Sequence, residues 1–337
     1  MTRHILPSLM ALVLAATACK QGQQVSQVRA DGSSTVFPIT EAVAEAWHKA
    51  RNSAQVTVAV SGTGGGFKRL CNHEADLVGA SRPIKQAEVD LCAKNKVDYV
   101  ELPVAYDGLS VVVNPRNTWA TSITVAELKR MWEPAAQGKI RTWKDVREDW
   151  PDTPLVLFGP GVDSGTYDYF TEAVVGKEHS SRGDFTSSED DNVLVQGVSR
   201  EPGALGFFGY GYYVENRDKL RLLPVDDGVA DNGAGPIAPS EETVRNGTYR
   251  PLSRPLFVYA ARSSLDRPEV TRFVEFYLGT APGLLGSIGY VPLTDQANAL
   301  TRERARTRVT GSMFAGKAKQ TGVTLEAMLQ QHGQGAR

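Results

Sequence analysis

Three short Ser/Thr/Gly-rich turns, each followed by helix-like sequence, constrain this chain more than any other feature. Asp31-Gly32-Ser33-Ser34-Thr35-Val36-Phe37-Pro38 precedes Ile39, Val43 and Trp47, and Ser61-Gly62-Thr63-Gly64-Gly65-Gly66-Phe67-Lys68 follows the strand-like run Val56–Val60. The third, Asp163-Ser164-Gly165-Thr166 within GPGVDSGTYDYF, lies between apolar Leu155–Phe158 and a segment with Tyr167, Phe170 and Val174 at helical spacing. Strand, glycine loop and helix start together make an anion socket. The first N–H groups of a helix lack intrahelical partners and carry the positive end of its dipole, hydroxyls add donors, and glycine admits close approach. A single such turn is as readily a plain helix cap. Three of them can converge on one small oxyanion.

Around these turns strand-like and helix-like segments alternate: Val28–Ala30, helix Ile39–Lys49, Val56–Val60, helix Phe67–Asn72, then Leu77–Gly79. Alternation predicts an α/β fold with parallel strands and crossover helices, whose ligands bind at the carboxyl ends of strands, where the glycine turns fall. Glu101–Val113 is a long β-rich run with Gly108 inside it, fit to cross between two lobes, and Pro255–Ala260 is the expected return strand. Thr124 and Glu127 form a capping box. Trp132, Trp143 and Trp150 read as core, and Gly203–Tyr213 as a packed strand–helix junction rather than a ligand wall. Pro268–Leu278 reads as a helix completing the first lobe. Past Leu293 the brief basic run TRERARTR reads as a solvated face, with a short helix at Leu325–Gln331.

At 337 residues the chain has room for two domains. Its net charge of -1 argues against bulk capture of nucleic acid, so any anion must be held by a local site. Arg3 and His4 followed by apolar Ile5–Ala16 form an export signal too short to span a membrane. Thr17-Ala18-Cys19 resembles a bacterial lipoprotein box, with Cys19 as the lipidated first residue of the mature chain; plain cleavage near Ala18 is the alternative. In an oxidising compartment the two remaining cysteines, Cys71 and Cys92, most simply form one disulfide. The five histidines are scattered, and no metal site or cofactor is expected.

Taken in order, DGSSTVFPI, SGTGGGFK, DLVGASRPI and DSGTYDYF resemble the phosphate-binding lipoproteins of high-affinity phosphate ABC transporters, from about Ala30 to about Leu293. The resemblance implies a type II periplasmic-binding-protein fold, two α/β lobes joined by two crossing strands, with inorganic phosphate in the cleft. It implies a monomer that catalyses nothing and hands phosphate to membrane permease subunits, tethered by lipid at Cys19. The implied layout is signal 1–18, tether 19–28, first lobe 29–106 and 255–293, second lobe 107–254, and tail 294–337. Matched residue by residue, the site takes Ser34, Thr35 and Phe37 from the first loop, Thr63 and Gly64 from the second, and Ser164, Gly165 and Thr166 from the third. Thr35, Thr63, Ser164 and Thr166 supply hydroxyls; Phe37 and Gly165 supply N–H groups.

Two departures from the family pattern matter. The family's arginine four positions before the third-loop serine is Pro160 here, and the aspartate after Gly79-Ala80-Ser81 is Arg82. Arg82 is therefore the expected cation, with Arg182 or Lys68 as alternatives. A carboxylate that accepts the proton of hydrogenphosphate excludes sulfate; Asp163 is the first candidate, and Glu189, Asp190 and Asp191 are others. Two competing functions stay open: a binding protein for sulfate or another tetrahedral oxyanion, and a secreted phosphatase or serine hydrolase using Ser164.

Overall fold

The computed structural model describes residues 26–162, 164–188, 190–314 and 325–334. The export signal, Cys19, Asp163 and Glu189 lie outside the described residues.

The first lobe grows from β1 (Gln27–Gly32), α1 (Phe37–Lys49), β2 (Gln55–Val58), α2 (Gly62–Cys71), β3 (Leu77–Ala80) and α3 (Gln86–Lys94). β1 pairs in parallel with β2 and β3, as the alternation predicts. The tether expected over 19–28 ends earlier, because Val28 is fully buried and Arg29 N–H is fixed by the Asp76 carboxylate at 2.9 Å. α2 also begins earlier than expected. Its glycines form the first turn of the helix itself.

β4 (Tyr99–Val113) is buried along its whole length and belongs to both halves of the sheet. Up to Gly108 it pairs antiparallel with β11, and from Leu109 onward with β8. The second half comprises β5 (Ile123–Thr124), α4 (Val125–Trp132), α5 (Trp143–Val146), β6 (Val156–Gly159), α6 (Gly165–Phe170), β7 (Thr186–Ser187), α7 (Asp191–Arg200), β8 (Ala204–Gly209), α8 (Tyr210–Glu215), β9 (Arg221–Leu222), β10 (Val225–Asp226) and α9 (Glu241–Arg245). The Thr124–Glu127 capping box opens α4. Trp132 is fully enclosed by Phe170, Phe185 and Phe207, and Trp143 packs on Trp150, so the tryptophans are core.

β11 (Ser253–Ala261) is the return strand, antiparallel to β3 and β4, and α10 (Pro268–Leu284) follows and packs on α1 through Trp47 and Phe273. The C-terminal part departs from expectation. α11 (Asp295–Thr307) buries Thr301 and Arg304, and Arg304 Nε donates to the Glu101 carbonyl at 2.9 Å, so the basic run is not wholly a solvated face. α12 (Leu325–Gln334) buries Leu325, Met328 and Leu329 in the hydrophobic cluster that contains Tyr106 and Leu252. Arginine spacing alone could not reveal that every third or fourth residue of a polar helix faces a strand. Glu101 is itself buried, accepting from Tyr259 Oη, Ser312 Oγ and Met313 N.

Candidate anion-binding cleft

Three glycines bring the first-lobe loops together. Gly32 has φ +123°, a conformation other residues rarely adopt, and a Cβ there would overlap the Gly79 carbonyl. A Cβ on Gly66 would lie 2.7 Å from Gly32 Cα, and one on Gly79 2.8 Å from the Val36 side chain. The turn after β1, the start of α2 and the end of β3 therefore touch backbone to backbone.

At the second loop Ser61 occupies the N-cap of α2, yet its hydroxyl donates to Asp31 Oδ1 at 2.6 Å and makes no side-chain cap. The opening turn of α2, which holds Thr63 and Gly64, is thus left without a side-chain cap at the cleft. Thr63 Oγ1 meets Ser81 Oγ at 3.1 Å and accepts from Ser81 N–H at 3.2 Å.

The third loop comes from the other lobe. Ser164 Oγ caps α6 by accepting from Thr166 N–H at 3.2 Å. Gly165 abuts Thr35 so closely that a Cβ would stand 2.5 Å from Thr35 N. Ser34 Oγ donates across the cleft to Asp168 Oδ2 at 3.3 Å. Two donors expected to face the ligand are used within the protein: Phe37 N–H goes to Ser33 O at 2.9 Å, and Thr35 Oγ1 to Gly165 O at 3.3 Å.

The cleft holds two adjoining cavities of about 850 and 660 Å³ that share Ser34, Thr35 and Val60. Thr63, Gly64, Ser81, Arg82 and Arg254 line the larger; Phe37, Asp107, Ser164, Gly165, Thr166 and Asp191 line the smaller.

Arg82 does reach the cleft, but its fork is matched by Glu88: Nη1 to Oε2 at 2.9 Å and Nη2 to Oε1 at 2.8 Å. Of the alternatives, Arg182 is buried in the second lobe, bonded to Asp184 and to the Met131 and Ile140 carbonyls. Lys68 is exposed on α2. A cationic side chain of the cleft wall that sequence reasoning missed is Arg254, at the start of β11. It donates to Thr35 Oγ1 at 3.0 Å, approaches Asp107 Oδ2 at 3.4 Å and lies over the Tyr169 ring. A signal for it existed, since Asp107 is, with Glu101, one of two carboxylates inside the apolar crossing run, and a buried carboxylate calls for a cationic partner. Burial pushes the Asp107 carboxyl above the usual aspartate range, and Arg254 draws it only partly back. Of the other candidate carboxylates, Asp190 caps α7 through Asn192 N–H at 2.9 Å. Asp191 lines the smaller cavity, as do Gly209 and Tyr212 of the glycine–aromatic run that was read as packing alone.

Residues 17–280 match the model of the PBP superfamily domain. The chain belongs to the PBP superfamily. Protein SphX of Synechococcus elongatus is 50% identical over 310 residues, covering 92% of this chain and 90% of that protein. The phosphate-binding protein PstS of Staphylococcus haemolyticus is 36% identical over 266 residues, covering 79% of this chain and 80% of that protein. A crystal structure described as "a possible phosphate binding protein" from Planctomyces limnophilus DSM 3776 superposes with a TM-score of 0.78 at 45% identity, covering 84% of this chain and 99% of that one. An ABC-type phosphate transport receptor from Vibrio cholerae shares the fold, with a TM-score of 0.60 at 22% identity. These likenesses fit the two-lobed α/β fold expected from the glycine turns.

Proposed function

We propose that this PBP-superfamily protein captures inorganic phosphate in the interlobe cleft outside the cytoplasmic membrane and delivers it to ABC-transporter permease subunits. The observation that carries the reading is the meeting of three hydroxyl- and glycine-rich loops from two lobes around one cleft with Arg254 in its wall. The kinship with PstS supports the same ligand. Ser34, Thr63, Gly64, Ser164, Gly165 and Thr166 contribute hydroxyl and N–H donors, and Arg254 the permanent charge. Arg82 adds positive potential at the cleft while remaining paired to Glu88. Phe37 walls the smaller cavity. Asp163 stays a candidate carboxylate beside the third loop.

Asp107 is the carboxylate best suited to tell phosphate from sulfate. It is buried in the cleft wall and holds protons more readily than an ordinary aspartate, so it can share the proton of hydrogenphosphate. Fully ionised sulfate brings none. The chain acts as a monomer, as the family resemblance implies, and is tethered through lipid at Cys19, a reading that rests on the export signal and the Thr17-Ala18-Cys19 box. Among the described residues no helix is long and apolar enough to cross a membrane.

A hydrolase built on Ser164 is disfavoured. That hydroxyl caps α6 and lines the smaller cavity, whereas His179, the histidine of the cleft wall, lines the larger one. Titration calorimetry of the mature protein with phosphate, repeated in excess sulfate, tests the proposal. Phosphate heat undiminished by sulfate is expected; binding of sulfate alone would assign the site to the other oxyanion.

A further inference from the structure

The motif pattern assigns Thr35 to the ligand, and the geometry gives it different work. Each of its polar atoms has a partner inside the protein. Its N–H donates to Ser33 Oγ at 3.2 Å, and its carbonyl accepts from Tyr290 Oη at 2.7 Å. Its hydroxyl oxygen accepts from Arg254 Nη2 at 3.0 Å and donates to Gly165 O at 3.3 Å. A guanidinium can only donate, so Thr35 Oγ1 must be the acceptor toward Arg254, and its own proton is left for the Gly165 carbonyl. The result is a directed chain running from the crossing strand β11, through the first lobe, to the first residue of α6 in the second lobe.

We infer that Thr35 is a positioning residue, an interlobe clasp that holds the cleft shut through the Arg254–Thr35–Gly165 chain rather than a ligand donor. Thr35 is buried at 4% exposure, and Gly165, which opens α6, stands in the opposite lobe, so their contact exists only while the lobes are closed. Gly165 is the residue type that permits it, since a Cβ at that position would come within 2.8 Å of Thr35 Cα. Tyr290, from the segment that follows α10, fixes the clasp from behind through the Thr35 carbonyl. The same hydrogen-bond chain orients the Arg254 fork, coupling the cation's position to closure. A ligand reaching Arg254 therefore meets a guanidinium already aimed by a closed cleft.

The inference rests on the phosphate reading only for its affinity arm. Dyes on azide-bearing residues replacing the exposed Lys49 and Lys139 report the interlobe distance by energy transfer, with and without inorganic phosphate. Thr35→Val keeps the shape and removes the hydroxyl; Thr35→Ser keeps the hydroxyl. With Thr35→Val the ligand-free distance should lengthen and phosphate should bind about five- to tenfold more weakly, the scale of one lost hydrogen bond with a buried partner. Thr35→Ser should restore both. A drop in affinity with an unchanged ligand-free distance would make Thr35 a ligand donor and overturn the clasp, and so would no change in either. Should circular dichroism show Thr35→Val unfolded, Tyr290→Phe, which frees the Thr35 carbonyl from the other side, is measured in the same way and decides on the same distances. A wild-type protein that binds no phosphate would sink the phosphate reading while leaving the ligand-free distances to decide on the clasp.

Discussion

The guanidinium carbon of Arg254 lies over the Tyr169 ring, 3.6 Å from its centroid. Tyr169 Oη is anchored to Pro251 O at 2.6 Å, and Asp107 approaches the same guanidinium from β4. A planar cation held between a ring face and a carboxylate keeps its fork in one plane, the geometry suited to two oxygens of a phosphate.

Arg254→Ala should therefore cost phosphate binding about 2 to 5 kcal/mol, the usual loss on removing one partner of a buried charged hydrogen-bonded pair. Arg254→Lys should recover only part, because an ammonium neither forks nor stacks as a guanidinium does. Arg82→Ala should cost about 1 kcal/mol or less, since Glu88 already satisfies its fork. Calorimetry on the three variants checks the ranking, and an Arg82→Ala loss larger than that of Arg254→Ala would return the cation to the first lobe.

The parts of this fold legible in the sequence are those governed by local rules. Glycine turns marked the ends of β1, β2 and β6, hydrophobic runs marked β4 and β11, and the Thr124–Glu127 spacing marked a cap that is present. The pairing of Cys71 with Cys92 followed from compartment and count. What escaped depends on contacts distant in sequence. Arg254 sits 147 residues from Asp107, and nothing near either one announces the pair beyond a carboxylate stranded in an apolar strand. Glu88 is six residues from Arg82, yet α3, which presents it, has only a modest apolar stripe and was not anticipated. Arg304 looked solvated because its burial is decided by β4, 203 residues earlier.

Selectivity should depend on pH through Asp107. Burial raises its proton affinity, so acidification protonates it sooner than an exposed aspartate. Once protonated, it can donate to a fully ionised anion, and the bar against sulfate weakens. The ratio of phosphate to sulfate affinity should fall on acidification in the wild type. In Asp107→Asn, whose amide can donate at any pH, the ratio should be low and flat; competition calorimetry across pH separates the two profiles.

The disulfide joins Cys71 at the end of α2 to Cys92 in α3, a sequence separation of 21. Closing a loop of this size should stabilise the protein by about 3 kcal/mol on the chain-entropy model. Cys71→Ser with Cys92→Ser should lower the urea midpoint correspondingly, and mass spectrometry of the unreduced mature chain should find no free thiol at either position.

Acid stability should run through Asp76. Its burial alone would raise the carboxyl, but bonds from the Arg29 side chain and backbone and from Ser264, with the charge of Arg267, outweigh that and hold it below the ordinary aspartate value of 3.8. A folded pKa below the unfolded one means the stabilisation is complete above the unfolded value and is lost as pH falls through the folded one. Asp76→Asn should thus cost about 1.5 to 3 kcal/mol at neutral pH, the scale of lost hydrogen bonds to a charged group, because Arg29 and Arg267 stay partly solvated. It should also flatten the pH dependence of urea unfolding below pH 4, roughly where ordinary aspartates begin to titrate. A variant as acid-sensitive as the wild type would shift that role to other carboxylates.

Gly165 offers a test in which the fold survives and closure does not. A Cβ there would fall 2.5 Å from Thr35 N and 2.8 Å from Thr35 Cα, both backbone atoms held by the Ser33 hydroxyl and by Tyr290, so the first loop cannot simply step aside. The collision partner belongs to the opposite lobe, and opening the cleft relieves it at no cost to either core. Gly165→Ala should therefore unfold at nearly the wild-type urea concentration while binding phosphate at least tenfold more weakly, a loss of about 1.4 kcal/mol or more. Small-angle scattering should give the variant the larger radius of an open cleft, where the wild type is compact. An alanine variant as compact as the wild type would mean that Thr35 and Gly165 are not the point on which the lobes close.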